Sequence, residues 1–215
     1  MKSPFEFHPY VAIEGNIGSG KTTLANMLSQ RFDQELILEE FEENPYLARF
    51  YKDRDRYAFQ LELNFLADRF RQFKHRIPGP SLFTESMISD YTIDKCLIFA
   101  QLNLRREEYT MYRKIHRILT KGLPRPELTI YLYARPERLL SNIQKRGRSF
   151  ETDIKEDYLE GLNHAYLKFF REHPEQTVLI LELGEHDFVE NVETFDKIVS
   201  ICSKKFKKGL HQISL

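Results

Sequence analysis

Short apolar runs alternate along this chain with longer segments in which apolar residues recur every three or four positions. The short runs predict five β-strands, at residues 10–14, 35–39, 82–89, 128–133 and 177–183. The longer segments predict amphipathic helices at residues 20–32, 54–74, 107–121, 136–145, 153–171 and 191–207. Strands that alternate with helices form parallel sheets covered on both faces. The pattern therefore predicts an α/β fold, with a five-stranded parallel sheet flanked by helices.

Local breaks and composition favour a single domain, residues 1–215, that binds a small ligand. The predicted breaks are residues 78–80, residues 122–124 and Gly184, and no repeat or low-complexity linker divides the chain. The 32 basic side chains balance the 32 acidic ones, so no overall charge attracts nucleic acid or an anionic membrane. The sequence has neither an apolar stretch of membrane-spanning length nor a signal-peptide pattern, so a cytoplasmic protein is expected.

Residues 15–22 read GNIGSGKT and match the phosphate-binding pattern GxxxxGK[ST], between a predicted strand and a predicted helix. Glycines let such a loop turn its N–H groups toward phosphate oxygens, and the helix N-terminus adds positive partial charge. Lys21 is expected to reach the β- and γ-phosphates, and Thr22 to place its hydroxyl on Mg²⁺. The candidate nucleotide-binding residues are Gly15, Asn16, Ile17, Gly18, Ser19, Gly20, Lys21, Thr22 and Thr23.

Acidic residues at strand ends are candidates for the catalytic carboxylate. The DxxG and NKxD motifs of GTPases do not occur. Glu182 ends an apolar run as a motor-type ATPase would require, although a buried strand ending in a surface glutamate explains it more simply. Glu39 ends the second predicted strand, where α/β sheets bind ligands, and could accept a hydroxyl proton. Glu42 and Glu43 are expected in a solvated loop.

Five segments, taken in order, resemble the deoxynucleoside kinase family, and within it the bacterial deoxyadenosine/deoxyguanosine kinases. They are residues 15–23, 39–47, 50–59, 97–100 and 146–151. The resemblance implies a P-loop kinase with a short lid at residues 145–152. It implies transfer of the γ-phosphoryl group of ATP to the 5′-hydroxyl of a deoxynucleoside, with Mg²⁺. It also implies a homodimer.

On the acceptor side, the resemblance gives four residues a role. Glu39 falls on the general base for the 5′-hydroxyl. Tyr51 and Glu151 fall on residues that hold the sugar 3′-hydroxyl. Phe99 falls on an aromatic residue that packs against the base.

On the donor side, the resemblance places Arg146 and Arg148 in the lid that closes over the phosphates. Asp187 and Phe188 fall on a loop that contacts the adenine of the donor. From the residues alone, the two arginines fit equally well a cation-rich helix end with a glycine stop. Two arginines beside a mobile glycine would make a cationic clamp for phosphoryl transfer.

The sequence departs from the family after the third predicted strand, where the family has an acidic residue followed by Arg and Ser. This chain reads Ser89-Asp90-Tyr91 and has no arginine there. Asp90 is the candidate for the metal-facing carboxylate, and Lys95 is a candidate substitute for the arginine.

Glu62 stands where the family has a glutamine that reads the base, and Arg69 shares its helix face. An ionised glutamate only accepts hydrogen bonds, which suits the two donors of guanine, whereas adenine needs a donor from Arg69 or a water. Because the resemblance leans to enzymes that favour deoxyadenosine, the interpretation is a purine deoxynucleoside substrate, with deoxyadenosine ahead of deoxyguanosine. Alternatively, Glu62 pairs with Arg69 away from the base.

Two other functions remain open from the sequence. A nucleoside monophosphate kinase would need extra arginines on the acceptor side, and Arg49, Arg54 and Arg56 are available. A nucleotide-binding regulatory module without turnover would explain the missing arginine.

Overall fold

The computed structural model describes residues 3–40, 44–76 and 86–215. Its six strands are β1 Tyr10–Gly15, β2 Glu35–Ile37, β3 Met87–Ser89, β4 Leu128–Tyr133, β5 Thr177–Glu182 and β6 Gly209–Ser214. Its eight α-helices are α1 Lys21–Phe32, α2 Leu47–Lys52, α3 Arg54–Arg76, α4 Lys95–Asn103, α5 Arg106–Leu119, α6 Pro136–Arg146, α7 Glu156–Glu172 and α8 Val192–Cys202. None of these helices is both long and apolar enough to cross a bilayer.

All strand pairs in the sheet are parallel, in the order β2-β3-β1-β4-β5-β6. One face of the sheet carries α1 and α8, whose Leu24, Leu28 and Ile198 pack with Val11 and Ile13 of β1. The other face carries α3, α4, α5 and α7. Alternate side chains of a strand point to opposite faces, so the apolar runs cover both layers. The predicted α/β fold is confirmed.

The predicted strand count was wrong, because the sheet has a sixth strand. The predicted last helix ends at Cys202 rather than at residue 207, and β6 follows it at the sheet edge, paired with β5. Every second side chain of β6 is exposed. An edge strand of this kind lacks the continuous apolar run that marks buried strands, which is why the sequence pattern did not reveal it.

The helix bounds otherwise differ from the prediction by a few residues at most. Helices α2 and α4 were not predicted. The predicted third strand is observed only at Met87–Ser89. Its residues 82–85, the predicted break at 78–80 and the expected solvated loop with Glu42 and Glu43 lie outside the described residues.

Candidate active site

The phosphate-binding loop joins β1 to α1, as its sequence predicts. Gly18 has a φ of 81°, and a Cβ there would lie 2.6 Å from the Leu139 carbonyl oxygen, so glycine is required by both backbone and space. Hydrogen bonds to two helices hold the loop. Asn142 Nδ2 on α6 donates to Gly18 O at 2.8 Å, and Asn16 Nδ2 donates to Leu159 O on α7 at 2.7 Å.

Asp90, directly after β3, connects the loop to the end of β2. The Thr22 hydroxyl donates to Asp90 Oδ2 at 2.6 Å, and the Glu39 N–H donates to Asp90 Oδ1 at 2.7 Å. Strand β3 is the neighbour of β1, whereas β5, which ends at Glu182, is not. Glu182 instead accepts a hydrogen bond from the Ser214 hydroxyl of β6. The acidic partner of the phosphate-binding loop is therefore Asp90.

Glu39 lies between two cations, and its side chain is only 8% exposed. Lys95 Nζ is 2.5 Å from Glu39 Oε2, and the Arg69 guanidinium donates to Glu39 Oε1. Burial alone would raise the pKa of Glu39, but the charges of Lys95, Arg69 and Lys21 overcome it and hold that pKa well below its usual range. Glu39 is therefore a permanently ionised carboxylate in the neutral pH range.

Lys95, the candidate substitute for the missing arginine, places a second cation beside Glu39. It begins α4 and is buried beside Glu39, with its ammonium 5.4 Å from the centre of the Phe99 ring. Burial, aided by repulsion from Lys95, lowers the pKa of Lys21 to about 8. The two lysines and Glu39 thus form one electrostatic unit between the phosphate-binding loop and α4.

A cavity that we call the inner cavity is enclosed by the loop, α2, α3, α4, α7 and the segment after α6. It brings together eleven side chains predicted from the sequence, which are Ile17, Lys21, Glu39, Tyr51, Glu62, Arg69, Lys95, Phe99, Arg146, Arg148 and Glu151. An adjoining outer cavity is lined by Thr22, Thr23 and Asp90. Glu39, Arg146 and Arg148 line both cavities and mark the point where they meet.

Glu62 is 1% exposed and faces the inner cavity from α3. Its Oε1 accepts a hydrogen bond from Asn103 Nδ2 at 2.7 Å, whereas its Oε2 is buried and has no partner among the described residues. Burial raises the pKa of Glu62 to about 7, although Asn103, Arg69 and Lys95 all oppose the shift. Arg69 binds Glu39 and the Cys96 sulfur rather than Glu62, so the alternative of a Glu62–Arg69 ion pair was wrong.

The segment after α6 carries the predicted lid arginines. Gly147, with a φ of 69°, ends α6 by donating its N–H to Ile143 O. The backbone here therefore forms the helix end with a glycine stop that the sequence allowed. The side chains turn inward: Arg146 Nη2 lies 2.7 and 2.6 Å from the two oxygens of Glu151, and Arg148 Nη1 lies 3.7 Å from Glu151 Oε1. Glu151 itself is 5% exposed.

The segment predicted to contact a donor base lies beneath the phosphate-binding loop. Phe188 is 4% exposed, and its ring would be 3.2 Å from a Cβ placed on Gly20. Asp187 is exposed and accepts hydrogen bonds from the N–H groups of Val189 and Glu190. Phe188 therefore supports the loop from below, and contact with adenine stays a prediction for both residues.

Residues 11–207 match the deoxynucleoside kinase family over most of this α/β fold and its phosphate-binding loop. The chain belongs to the deoxynucleoside kinase family. It is 42% identical over 196 residues to a deoxyguanosine kinase of Bacillus subtilis (strain 168). The aligned region covers 89% of this chain and 95% of that protein. It is also 28% identical to a deoxyadenosine/deoxycytidine kinase of the same organism. That alignment has 193 residues and covers 88% of this chain and 89% of the relative.

The solved structure of a deoxyadenosine kinase from M. mycoides with bound dATP has the same fold as this deoxynucleoside kinase. The two align with a TM-score of 0.74 at 27% identity, over 89% of this chain and 97% of that one. The chain is thus an ATP-dependent phosphotransferase that acts on deoxynucleosides. A regulatory module without turnover, left open by the sequence, is excluded.

The arginines that a monophosphate acceptor would need lie elsewhere in this deoxynucleoside kinase. Arg54 stacks on the Tyr158 ring at 4.0 Å, and Arg49 and Arg56 lie against Tyr57. None of these three arginines lines the inner cavity.

Sequence reasoning missed Asn103, which holds Glu62 in place. A signal was present, because Lys95, Phe99 and Asn103 are spaced four residues apart and therefore share one face of α4.

Proposed function

We propose that this kinase transfers the γ-phosphoryl group of ATP to the 5′-hydroxyl of a purine deoxynucleoside in the inner cavity. The observation that supports a purine is the buried Glu62 carboxyl with one unpartnered oxygen. Phe99 lines the same cavity and would pack against the base, while Tyr51 and Glu151 would hold the 3′-hydroxyl. The similarity to a deoxyguanosine kinase of Bacillus subtilis (strain 168) is consistent with a purine substrate.

The contacts of Arg69 support a different order of the two purines from the one expected from the sequence. Deoxyadenosine came first in the sequence interpretation because the resemblance leans to enzymes that favour it and because Arg69 or a water could donate to the adenine ring. The Arg69 guanidinium, however, is engaged by Glu39 and Cys96. The free Glu62 oxygen is an acceptor when the carboxyl is ionised. We therefore propose deoxyguanosine as the better substrate of the ionised enzyme.

In the proposed reaction, the 5′-oxygen forms a bond to the γ-phosphorus and the bond from that phosphorus to the β–γ bridging oxygen breaks. The hydroxyl proton passes to Glu39. Lys21, Arg146 and Arg148 neutralise the charge on the transferring group, and Lys95 holds Glu39 oriented. Such transition states are loose, so positioning and charge neutralisation matter more than a strong base.

Thr22 and Asp90 fit a Mg²⁺ ion that accompanies the nucleotide. Their side-chain oxygens are of the type that Mg²⁺ prefers, and Mg²⁺ is commonly held by one or two protein groups together with substrate phosphates. Within the described residues no cluster of three or more His, Cys, Asp or Glu side chains could hold a metal alone. Bound there, the ion would neutralise phosphate charge.

Steady-state kinetics with ATP and Mg²⁺ test this function. The acceptors are the four natural deoxynucleosides and, as a control, dAMP and dGMP. We expect kcat/KM to be highest for the two purine deoxynucleosides and turnover to require Mg²⁺. Preference for a pyrimidine deoxynucleoside or for a monophosphate would refute the proposal.

A homodimer also remains a proposal. Three exposed large apolar side chains, Leu102, Met111 and Ile118, lie on α4 and α5 and support an interface there. Light scattering coupled to size-exclusion chromatography would measure the mass of the 25.7 kDa chain in solution.

A further inference from the structure

The Glu62 carboxyl has a hydrogen-bonding capacity that the protein uses only in part. Its Oε1 is fixed by the Asn103 amide at 2.7 Å, and Asn103 itself lines the inner cavity. Its Oε2 has no partner among the described residues and is shut off from solvent. A buried polar atom without a partner is costly. A ligand in the inner cavity that satisfied Oε2 would therefore gain affinity from this one atom.

The two protonation states of Glu62 present different hydrogen-bonding edges. An ionised carboxylate offers acceptors only, whereas a protonated carboxyl offers one donor and one acceptor. Guanine presents two adjacent donors, N1–H and the 2-amino group. Adenine presents a donor and an acceptor, the 6-amino group and N1. Each purine thus complements one of the two states and leaves unpaired groups with the other.

We propose that protonation of Glu62 selects the purine, so that the ionised carboxylate binds deoxyguanosine and the protonated carboxyl binds deoxyadenosine. The inference rests on the proposed function, because it requires the base to reach Glu62 in the inner cavity. It goes beyond that function by making base preference a property of pH rather than a fixed property of the enzyme.

The surroundings of Glu62 allow both states near neutral pH. Burial favours the neutral carboxyl, and the Asn103 hydrogen bond and the positive charges of Arg69 and Lys95 favour the ionised one. The balance leaves the pKa at about 7. The titratable and charged groups around Glu62 are Arg69 on its own helix, Lys95 and Cys96 on α4, Tyr112 on α5, Tyr158 on α7, and Glu39 after β2.

Four of the groups around Glu62 have pKa values that are shifted away from the neutral range. Burial raises the pKa of Cys96, Tyr112 and Tyr158 above their usual values. The pKa of Glu39 is held well below its usual range. Glu62 therefore changes charge near neutral pH, whereas Lys21, whose pKa is about 8, would affect both purine substrates alike.

Competition between the two purines tests the inference. Deoxyguanosine and deoxyadenosine are mixed in one reaction with ATP, and the ratio of their kcat/KM values is measured from pH 5.5 to 8.5. Ionisations shared by both substrates, including those of ATP and Lys21, cancel in this ratio. We expect the ratio to rise with pH in favour of deoxyguanosine by about tenfold or more, the scale at which a site rejects a mispaired polar group.

Glu62→Gln provides the matched variant, because glutamine offers a donor and an acceptor at every pH. It should favour deoxyadenosine and make the ratio independent of pH. Glu107→Gln, an exposed site on α5, is the control and should keep the wild-type profile.

Calorimetry on the wild-type enzyme gives a second readout that needs no variant. Titrations near pH 7 in buffers of different ionisation enthalpy should show that deoxyadenosine binding takes up protons and deoxyguanosine binding releases them.

The outcomes separate this inference from the function on which it rests. If both purines are phosphorylated with a ratio that does not change with pH, or if Glu62→Gln retains the wild-type profile, only the protonation inference is overturned. Preference for pyrimidines at every pH overturns both.

Discussion

At the scale of single residues, the surroundings of Glu39 limit how this kinase can use a base. The flanking ammonium and guanidinium groups keep the carboxylate ionised and fixed in orientation, at the expense of its intrinsic basicity. A weak base is sufficient where the hydroxyl proton leaves late, as in a loose phosphoryl-transfer transition state. The ion pairs therefore favour accurate placement of the acceptor over proton affinity.

The first prediction concerns Glu39 itself. Glu39→Gln keeps the shape of the side chain and removes the proton acceptor, so kcat should fall by roughly 10²–10⁴ with little change in nucleoside affinity. Glu40→Gln is the control, because Glu40 is exposed and pairs with Arg76 on the surface. If Glu40→Gln is the damaging change, Glu39 is not the base.

The second prediction concerns Lys95. Lys95→Met removes a buried charge that orients Glu39 and lies near the transferring group, and kcat should fall on the order of 10²–10³. Lys95→Arg restores the charge and should recover part of the loss. Lys114→Met, at an exposed position on α5, should have no effect. Equal losses in Lys95→Met and Lys95→Arg would show that packing rather than charge is what Lys95 provides.

Local sequence predicts some of these residues better than others. The phosphate-binding loop was found because all of its parts are contiguous. The shared helix face of Glu62 and Arg69 followed from their spacing. The partner of Arg69 could not be predicted in this way, because Glu39 lies thirty positions away in the chain and its place depends on how β2 packs in the sheet.

At the scale of elements, periodicity identified the helices that are apolar on one face. It did not identify α4, where Cys96, Ile98 and Ala100 are buried and Leu97 and Phe99 are half-buried. A helix that is apolar nearly all round has no period to detect. The same helix presents Lys95, Phe99 and Asn103 to the inner cavity, so the missed element is one that carries much of the candidate site.

The third prediction concerns the segment after α6. Arg146→Ala and Arg148→Ala should each lower kcat and weaken ATP binding. Thermal stability without ligand should change little, because these side chains are about one-third exposed and ion pairs at that exposure contribute at most about 1 kcal/mol. Lys145→Ala, one residue earlier on α6, is the control. A large loss of thermal stability would indicate a structural role instead.

The fourth prediction concerns β6. Ile213 packs partly against the core cluster beneath α1 and α8, whereas Leu210 on the same strand is 39% exposed. Ile213→Ala should lower the free energy of unfolding by roughly 1–3 kcal/mol, and Leu210→Ala by less than about 0.5 kcal/mol. Urea unfolding measures both values, and equal losses would show that β6 contributes through its backbone alone.

At the scale of the whole molecule, charge is concentrated where the ligands are expected to bind. The net charge is zero, yet five cations line the inner cavity, namely Lys21, Arg69, Lys95, Arg146 and Arg148. Four of these five cations pair with Glu39 or Glu151. Anionic phosphates can be neutralised there without making the rest of the surface attractive to nucleic acid.

The contacts of Asp90 have a consequence for the distance over which phosphoryl transfer occurs. One carboxylate accepts from the donor-side loop through Thr22 and from the acceptor-side strand end through Glu39. In the proposed reaction, the separation of the two reactants would be set by this single short side chain, which acts as a spacer.

Lengthening that spacer should uncouple affinity from rate. Asp90→Glu keeps the charge and adds one methylene, which would move the acceptor relative to the γ-phosphorus by about 1 Å, a displacement that can cost on the order of 10²-fold in rate. We expect kcat to fall by that factor while the Kd values of ATP and deoxynucleoside, measured separately by calorimetry, stay within a few-fold of wild type. Glu182→Asp, at the end of β5 and outside the lining of both cavities, is the matched change of length. A parallel loss of rate and affinity would mean that Asp90 serves binding rather than distance.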